Sequence, residues 1–297
     1  MKKLLALVMA AMMLVACFAG CSAKTDNPAA DQTDTTAAAP SDTGNADVAD
    51  TTGTADNTAK GTIVVGYTIY EPMNYFDDNN NLVGFDTELA EAVFGKMGYE
   101  VMFQEIDWTQ KYTDLNSGTI DCIWNGFTCN TSDDDGVARA DKVDFSYNYM
   151  ENQQVVIVKA GSAVKTVDDM KGKFAAVEGG SAGESYVTGI DEGIVLTKCL
   201  KQTDCLTEVL SENVDYAVVD VQLAKAYVGK GDYADLEIVE GLESDLEYYA
   251  IGFKKGSELT ANVNAQLEAL AADGTIAALA EKYGVANSAV TDFSSQK

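Results

Sequence analysis

The chain has 297 residues and no histidine. That absence removes Ser-His-Asp and Cys-His nucleophile systems, imidazole acid–base steps and every His-ligated metal site. Cysteine does not make good the loss, because none of the six cysteines forms a C-x-x-C pair. No metal and no cofactor is therefore expected. Positive charge is scarce as well: 20 Lys and Arg stand against 47 Asp and Glu, a formal net charge of −27. Such a field excludes nucleic acid and an anionic membrane surface as partners. Within the basic residues the shortage is sharper, since Arg139 is the single arginine. A guanidinium is a planar fork that meets a carboxylate through two parallel hydrogen bonds, whereas a lysine ammonium is a hydrated point charge. Arg139 is thus a candidate clamp for a small carboxylate ligand, with a solvated surface cation as the alternative.

Long apolar runs are also missing. The one candidate, Leu4 to Ala16, follows Lys2 and Lys3 and falls short of the ~20 residues a membrane span needs. It reads as a signal peptide over residues 1–20. Leu14-Val15-Ala16-Cys17 and Phe18-Ala19-Gly20-Cys21 both resemble the bacterial lipoprotein box. Cys21, which stands directly before the polar tail, is taken as the lipidated residue, with Cys17 as the alternative. Residues 21–60 form a tether: Ser22 to Lys60 lacks aromatics altogether, being mostly Ala, Thr, Asp, Asn, Gly and Ser, and buries too little apolar surface to order itself. As a flexible coil it would reach on the order of 35 Å.

The rest of the chain suits one two-lobed domain or two small ones. Ile63 to Tyr67 reads as a strand, followed by a loop carrying Tyr70 and Phe76. Asp77 to Leu82 reads as a hairpin tip, and Thr87 to Met97 has helical apolar spacing. Val101 to Ile106 is a predicted strand, Trp108 to Asn116 a short helix and Ile120 to Trp124 a buried strand. This alternation predicts an α/β fold with a parallel sheet. Ligands sit beyond the carboxyl ends of such strands, here Tyr67 to Tyr70 and Asn125-Gly126-Phe127-Thr128. A second series follows: strands Val155 to Val158 and Phe174 to Val177, then Glu178-Gly179-Gly180-Ser181, a turn that aims backbone donors at an anion or is an ordinary loop. Cys205 to Leu210 closes a helix. Val214 to Val219 is a strand ending in Asp220, either a partner for an ammonium or the N-cap of Val221 to Tyr227. Tyr248 to Phe253 is one further strand, and Leu259 to Tyr283 holds two helices parted by Gly274. In an exported protein Cys199 and Cys205 could close a small loop, but were 196 to 210 helical they would lie on poorly matched faces, and free buried thiols are expected.

These motifs, in this order, resemble the solute-binding lipoproteins of bacterial polar amino-acid ABC importers. Gly84-Phe85-Asp86-Thr87-Glu88-Leu89-Ala90 resembles that family's G-F-D-x-D-L-A segment, and Leu115-Asn116-Ser117-Gly118-Thr119-Ile120-Asp121 its L-x-x-G-x-x-D. Arg139 to Ser146, Lys171-Gly172-Lys173, Gly180-Ser181 and Val214 to Asp220 are similar to further stretches. The resemblance implies a type II periplasmic-binding-protein fold with a hinge crossed twice: lobe 1 over 61–151 plus 250–297, lobe 2 over 152–249. It implies Arg139, Thr128, Ser181 and Gly180 on the ligand's α-carboxylate. Asp220 and the carbonyl near Asn125 or Gly126 would hold the α-ammonium, with Tyr70, Phe76 and Trp108 around the side chain. The implied protein is a monomer, anchored by lipid to the outer face of the cell membrane, that delivers a free amino acid to ABC permease subunits. One departure stands out, because Cys129 to Ala138 separates Thr128 from Arg139 and reads as an insertion at Asn130 to Gly136.

Two other functions compete on the same fold. A dehydratase acting on cyclohexadienyl substrates could use Glu71 or Glu178 for acid–base work without histidine. An aspartate poised for an amine, and the tether, argue against it, so no catalytic residue is assigned. A sensory amino-acid-binding module would usually be marked by a fused transmembrane and signalling region, which no later stretch supplies.

Overall fold

The computed structural model describes residues 60–190 and 192–297. The signal peptide, Cys17, Cys21 and all of the tether but Lys60 lie outside them. Among the described residues, no helix is long and apolar enough to cross a membrane.

Two five-stranded sheets organise the chain. In the first, Thr62–Tyr67 pairs in parallel with Glu100–Glu105 on one side and Cys122–Ile123 on the other; Gly252–Phe253 then adds antiparallel, followed by Asp144–Phe145. In the second, Phe174–Glu178 lies parallel to Val195–Cys199 and Tyr216–Asp220, while Gln154–Lys159 and Leu236–Ile238 continue it antiparallel. Each sheet is thus parallel where helices cross over between its strands and antiparallel where the chain returns. The inner strands are buried on both faces, which is why Val155 to Val158 and Tyr216 to Val219 read as unbroken apolar runs rather than alternating ones. Met150–Asn152 and Glu247–Tyr249 pair antiparallel and carry the chain twice between the two sheets.

Tyr248 to Phe253 is therefore two strands rather than one. Glu247–Tyr249 belongs to the crossing and Gly252–Phe253 to the first sheet. Between them Ala250 N–H donates to Phe127 O at 3.0 Å and Ile251 N–H to Ser146 Oγ at 2.9 Å. The chain must turn from one partner to the other, and an alternation of apolar residues gives no sign of the change. Trp108 to Asn116 also divides, into a 3₁₀ turn Trp108–Gln110 and a helix Lys111–Ser117. The segment 196 to 210 is not one helix: Val195–Cys199 is a strand and the helix is Gln202–Leu210. Both cysteines are free thiols, Cys205 buried and Cys199 half-buried.

Helix Phe85–Lys96 shows how local sequence fixes the approach to the groove. Gly84, just before it, has φ +132°, and a Cβ there would stand 2.0 Å from the carbonyl oxygen of Met73. Only glycine lets the loop Tyr70 to Met73 lie against the helix start, where Phe85 N–H donates to Pro72 O at 2.9 Å. Gly84→Ala should destabilise the protein by roughly 2 kcal/mol or more, since both strain and backbone overlap oppose the new methyl. Urea unfolding at constant pH measures this, and an unchanged midpoint would contradict the packing described.

Candidate functional site

The carboxyl ends of the two sets of parallel strands face one another, and between them lies a small, mostly enclosed cavity. Trp108, Asn125, Gly126, Thr128 and Arg139 line it from the first sheet's side; Glu178, Ser181, Ala182, Gln202 and Asp220 line it from the second.

Arg139 opens the short helix Arg139–Lys142 and is 1% exposed. Its guanidinium lies 5.2 Å from the centre of the Phe127 ring. Nε donates to Asp133 Oδ1 at 2.8 Å, Nη1 to Thr128 O at 3.1 Å and Nη2 to Gly180 O at 3.1 Å. A guanidinium has five N–H donors, so one on each terminal nitrogen is left. Asp133 comes from the segment that departs from the family pattern, and its Oδ2 accepts from Lys142 Nζ at 2.8 Å and Tyr112 Oη at 2.7 Å. Burial pushes the Asp133 carboxyl up, but Arg139, Lys142 and Tyr112 together outweigh it and hold the group at about 2. The departing segment therefore supplies the counter-ion that lets Arg139 stay charged while buried. Breaking such a pair from one side typically costs about 3–5 kcal/mol.

Across the groove, strand Phe174–Glu178 ends in the turn that leads to helix Ala182–Ile190. Ser181 Oγ accepts from Glu184 N–H at 3.1 Å, while Gly180 N–H donates to Glu184 Oε2 at 2.7 Å. These bonds aim the Gly180 carbonyl outward, where it accepts from Arg139 and, at 3.0 Å, from Lys111 Nζ. Lys111 Nζ also donates to Trp108 O at 3.3 Å and sits over the Trp108 and Tyr112 rings. Burial, with Arg139 nearby, lowers its pKa to about 7.

Asp220 is buried at the end of strand Tyr216–Asp220 and does not cap the following helix with its side chain. Its Oδ1 accepts from Asn152 Nδ2 at 2.7 Å and Gln154 Nε2 at 2.6 Å, and its Oδ2 from Gln202 Nε2. A carboxylate has about four acceptor sites, so one on Oδ2 is left. Burial raises its pKa, with the three amides acting the other way. Beside it, Glu247 Oε2 accepts from Thr128 Oγ1 at 3.2 Å and from the same Asn152 and Gln154 amides.

Other candidates hold the frame. The side chain of Asn125 spends its amide on Thr68 O and Asn74 Oδ1 and its carbonyl on Thr68, tying two strand ends together. Gly126, at φ +54°, leaves room for Tyr70: a Cβ would stand 2.1 Å from the tyrosine hydroxyl oxygen. Tyr70 is thus buried behind Gly126 and is not among the lining residues. Gly126 N–H donates to Asp86 Oδ2 at 3.1 Å, which also accepts from Tyr149 Oη at 2.9 Å. Phe76 is misplaced by the sequence reading. It is 46% exposed on the hairpin strand Tyr75–Phe76, whose alternation turns it outward, and it lines no part of the cavity. Sequence reasoning missed Gln202, Asp133, Lys111, Asn152, Gln154 and Glu247 at the site, and it noted Glu178 only as a general acid–base candidate.

The model of the bacterial extracellular solute-binding proteins, family 3, matches residues 63–286. The chain is 29% identical over 216 residues to an arginine-binding extracellular protein of Bacillus subtilis (strain 168), covering 72% of this chain and 82% of that one. It is 28% identical over 228 residues to an L-cystine-binding protein of Escherichia coli (strain K12), covering 75% and 83%. An ancestral arginine-binding protein bound to arginine has a similar structure, with a TM-score of 0.69 and 35% identity over 75% of this chain and 98% of that one.

The acid that supports Gly126 gives a pH test. Burial pushes the Asp86 carboxyl up to about 7. A raised folded-state value means the folded protein holds a proton that the unfolded chain has released. This group's contribution is therefore full below about pH 4 and falls until the pH passes about 7. Asp86→Asn should flatten the decline in stability between pH 5 and pH 8 by on the order of 2–4 kcal/mol, followed by urea unfolding. An identical slope in the variant would contradict the assignment.

Proposed function

The chain belongs to the bacterial extracellular solute-binding proteins of family 3, and on that footing we propose that it captures one free L-amino acid between its two lobes and passes it to an ABC permease. The observation that carries this reading is the pairing of Arg139 and Asp220 across one cavity. Each is buried, each is held by protein partners, and each keeps hydrogen-bonding capacity to spare. A zwitterion needs one fork donor and one acceptor. Placing them on opposite lobes means that only the closed form satisfies both, so ligand binding and closure become one event.

In this reading the two spare N–H groups of Arg139 take the α-carboxylate with the backbone at Thr128 and the Gly180-Ser181 turn. Asp220 takes the α-ammonium, with the Asn125-Gly126 backbone completing its coordination. Trp108 offers an apolar wall to the ligand's side chain. Phe127 has a supporting part, since its ring lies 5.2 Å from the guanidinium and offers it an electron-rich face. The relatives carry names of binding proteins, which supports a receptor rather than an enzyme. A monomer anchored through Cys21 and its tether would keep the loaded lobes near the membrane and free to turn toward the permease.

Two outcomes are expected. Calorimetric titration with a panel of L-amino acids should find one or a few that bind, and Arg139→Lys should weaken that binding at least about tenfold, because an ammonium cannot reproduce the fork. Unchanged affinity would sink the clamp. Expressed in a bacterial host, the full chain should incorporate a fatty-acid label and stay with the membrane, whereas Cys21→Ser should lose both; continued labelling of the variant would move the anchor to Cys17.

A further inference from the structure

The α-amino and α-carboxyl groups common to all amino acids are matched by Asp220 and Arg139, yet the cavity wall carries one more acid. Glu178 ends its strand with its side chain at the cavity, and the residue is 3% exposed. Its Oε1 is fully buried and has no hydrogen-bond partner. Lys111, Gln202 and Arg139 are near enough to favour its ionised form, yet neither cation forms an ion pair with it. Among the described residues no ion pair reaches Glu178: Arg139 is spent on Asp133, and Lys111 is turned onto the Trp108 and Gly180 carbonyls. Gln202, the amide beside it, gives its Nε2 to Asp220. A buried acceptor left in this condition costs about 1–3 kcal/mol, more when charged.

We propose that Glu178 receives a second cationic group on the ligand's side chain, so that the site selects L-amino acids bearing a basic side chain, ammonium or guanidinium, over their neutral counterparts. This rests on the amino-acid reading above and adds a specificity residue to it. The geometry suits the role: Trp108 lines the same cavity, and an aromatic face beside a carboxylate accommodates the apolar stem of such a side chain and its charged end together. The acid's chemistry agrees. Burial, and then Asp220, raise the Glu178 carboxyl to about 8, against the opposing pull of Lys111, Gln202 and Arg139. A ligand cation would favour the ionised carboxylate, displacing its proton to solvent, and would supply a charge-assisted bond to an oxygen that otherwise has no partner.

Titration of the intact protein with L-arginine, L-lysine and L-ornithine, set against the uncharged L-citrulline and L-glutamine and the acidic L-glutamate, tests this. At least one basic amino acid should bind about tenfold or more tightly than citrulline, glutamine and glutamate. Glu178→Gln should cut the ratio of the basic ligand's affinity to that of citrulline by about tenfold or more. Tighter binding of a neutral or acidic ligand by the unaltered protein would overturn the inference while leaving the amino-acid reading intact. A uniform loss across all ligands in Glu178→Gln would do so too, because it would make Glu178 a partner of the α-ammonium instead. If the variant does not fold, the arginine-to-citrulline ratio of the unaltered protein decides. Binding of no amino acid at all would take down the wider reading along with this one.

Discussion

Everything at the groove depends on keeping one guanidinium charged where water is excluded. Arg139 is buried, and an isolated cation there would be prohibitively desolvated. The protein answers with a graded set of partners. Asp133 supplies the opposite charge, Phe127 an electron-rich face, and the carbonyls of Thr128 and Gly180 two dipoles from opposite sides of the groove. The Gly180 contact joins the lobes directly. The neighbouring bond from Ser185 Oγ to Ser132 O, at 2.9 Å, ties the Asp133 loop to the same helix. The same set of contacts therefore holds the arginine in place and bridges the two sides of the groove.

The aspartate side is built on the same logic with the signs exchanged. Asp220 is buried against three side-chain amides, drawn from the crossing strand, the first strand of the second sheet and the start of helix Gln202–Leu210. Neutral donors stabilise its charge without cancelling it, which leaves the carboxylate able to attract a cation. Arg139, by contrast, has a full counter-ion, so its clamp works through the direction of its free N–H groups more than through net charge. Among the described residues Glu178 forms no ion pair, its Oε1 accepts no hydrogen bond, and it stands out for that reason. On the selectivity proposed above, the surplus of acid around the cavity would separate this site from one built for a neutral or acidic side chain.

Much of this was legible in the sequence because it is local. The order of strands and helices followed from apolar spacing, and the G-F-D and Arg-to-Phe-Ser stretches located the groove. Arg139 could be singled out because it has no duplicate, and Asp220 because it ends a buried β-branched run. What stayed hidden depends on segments far apart in the chain. Gln202, Asn152 and Gln154 are ordinary amides until folding brings them onto one carboxylate. Asp133 sits within the run Asp133-Asp134-Asp135, which looks solvated; Asp134 and Asp135 are half-exposed or more, while Asp133 is turned inward. Phe76 and Tyr70 fall in one short loop and resemble each other in composition, yet strand alternation sends Phe76 outward and the glycine at 126 admits Tyr70 inward. The break between Tyr249 and Gly252 left no mark, since Tyr249 to Phe253 is an unbroken buried run without a polar side chain inside it.

The central claim is that a free amino acid is held by both of its α-charges at once, the acid end on Arg139 and the amine end on Asp220. The most direct measurement is a calorimetric comparison of the tightest-binding L-amino acid with its α-carboxamide and with its deaminated acid, each of which lacks one of the two charges and keeps the side chain. The account predicts that both analogues lose at least about a hundredfold in affinity, roughly 2.8 kcal/mol each. Binding of either analogue at the strength of the parent would contradict it.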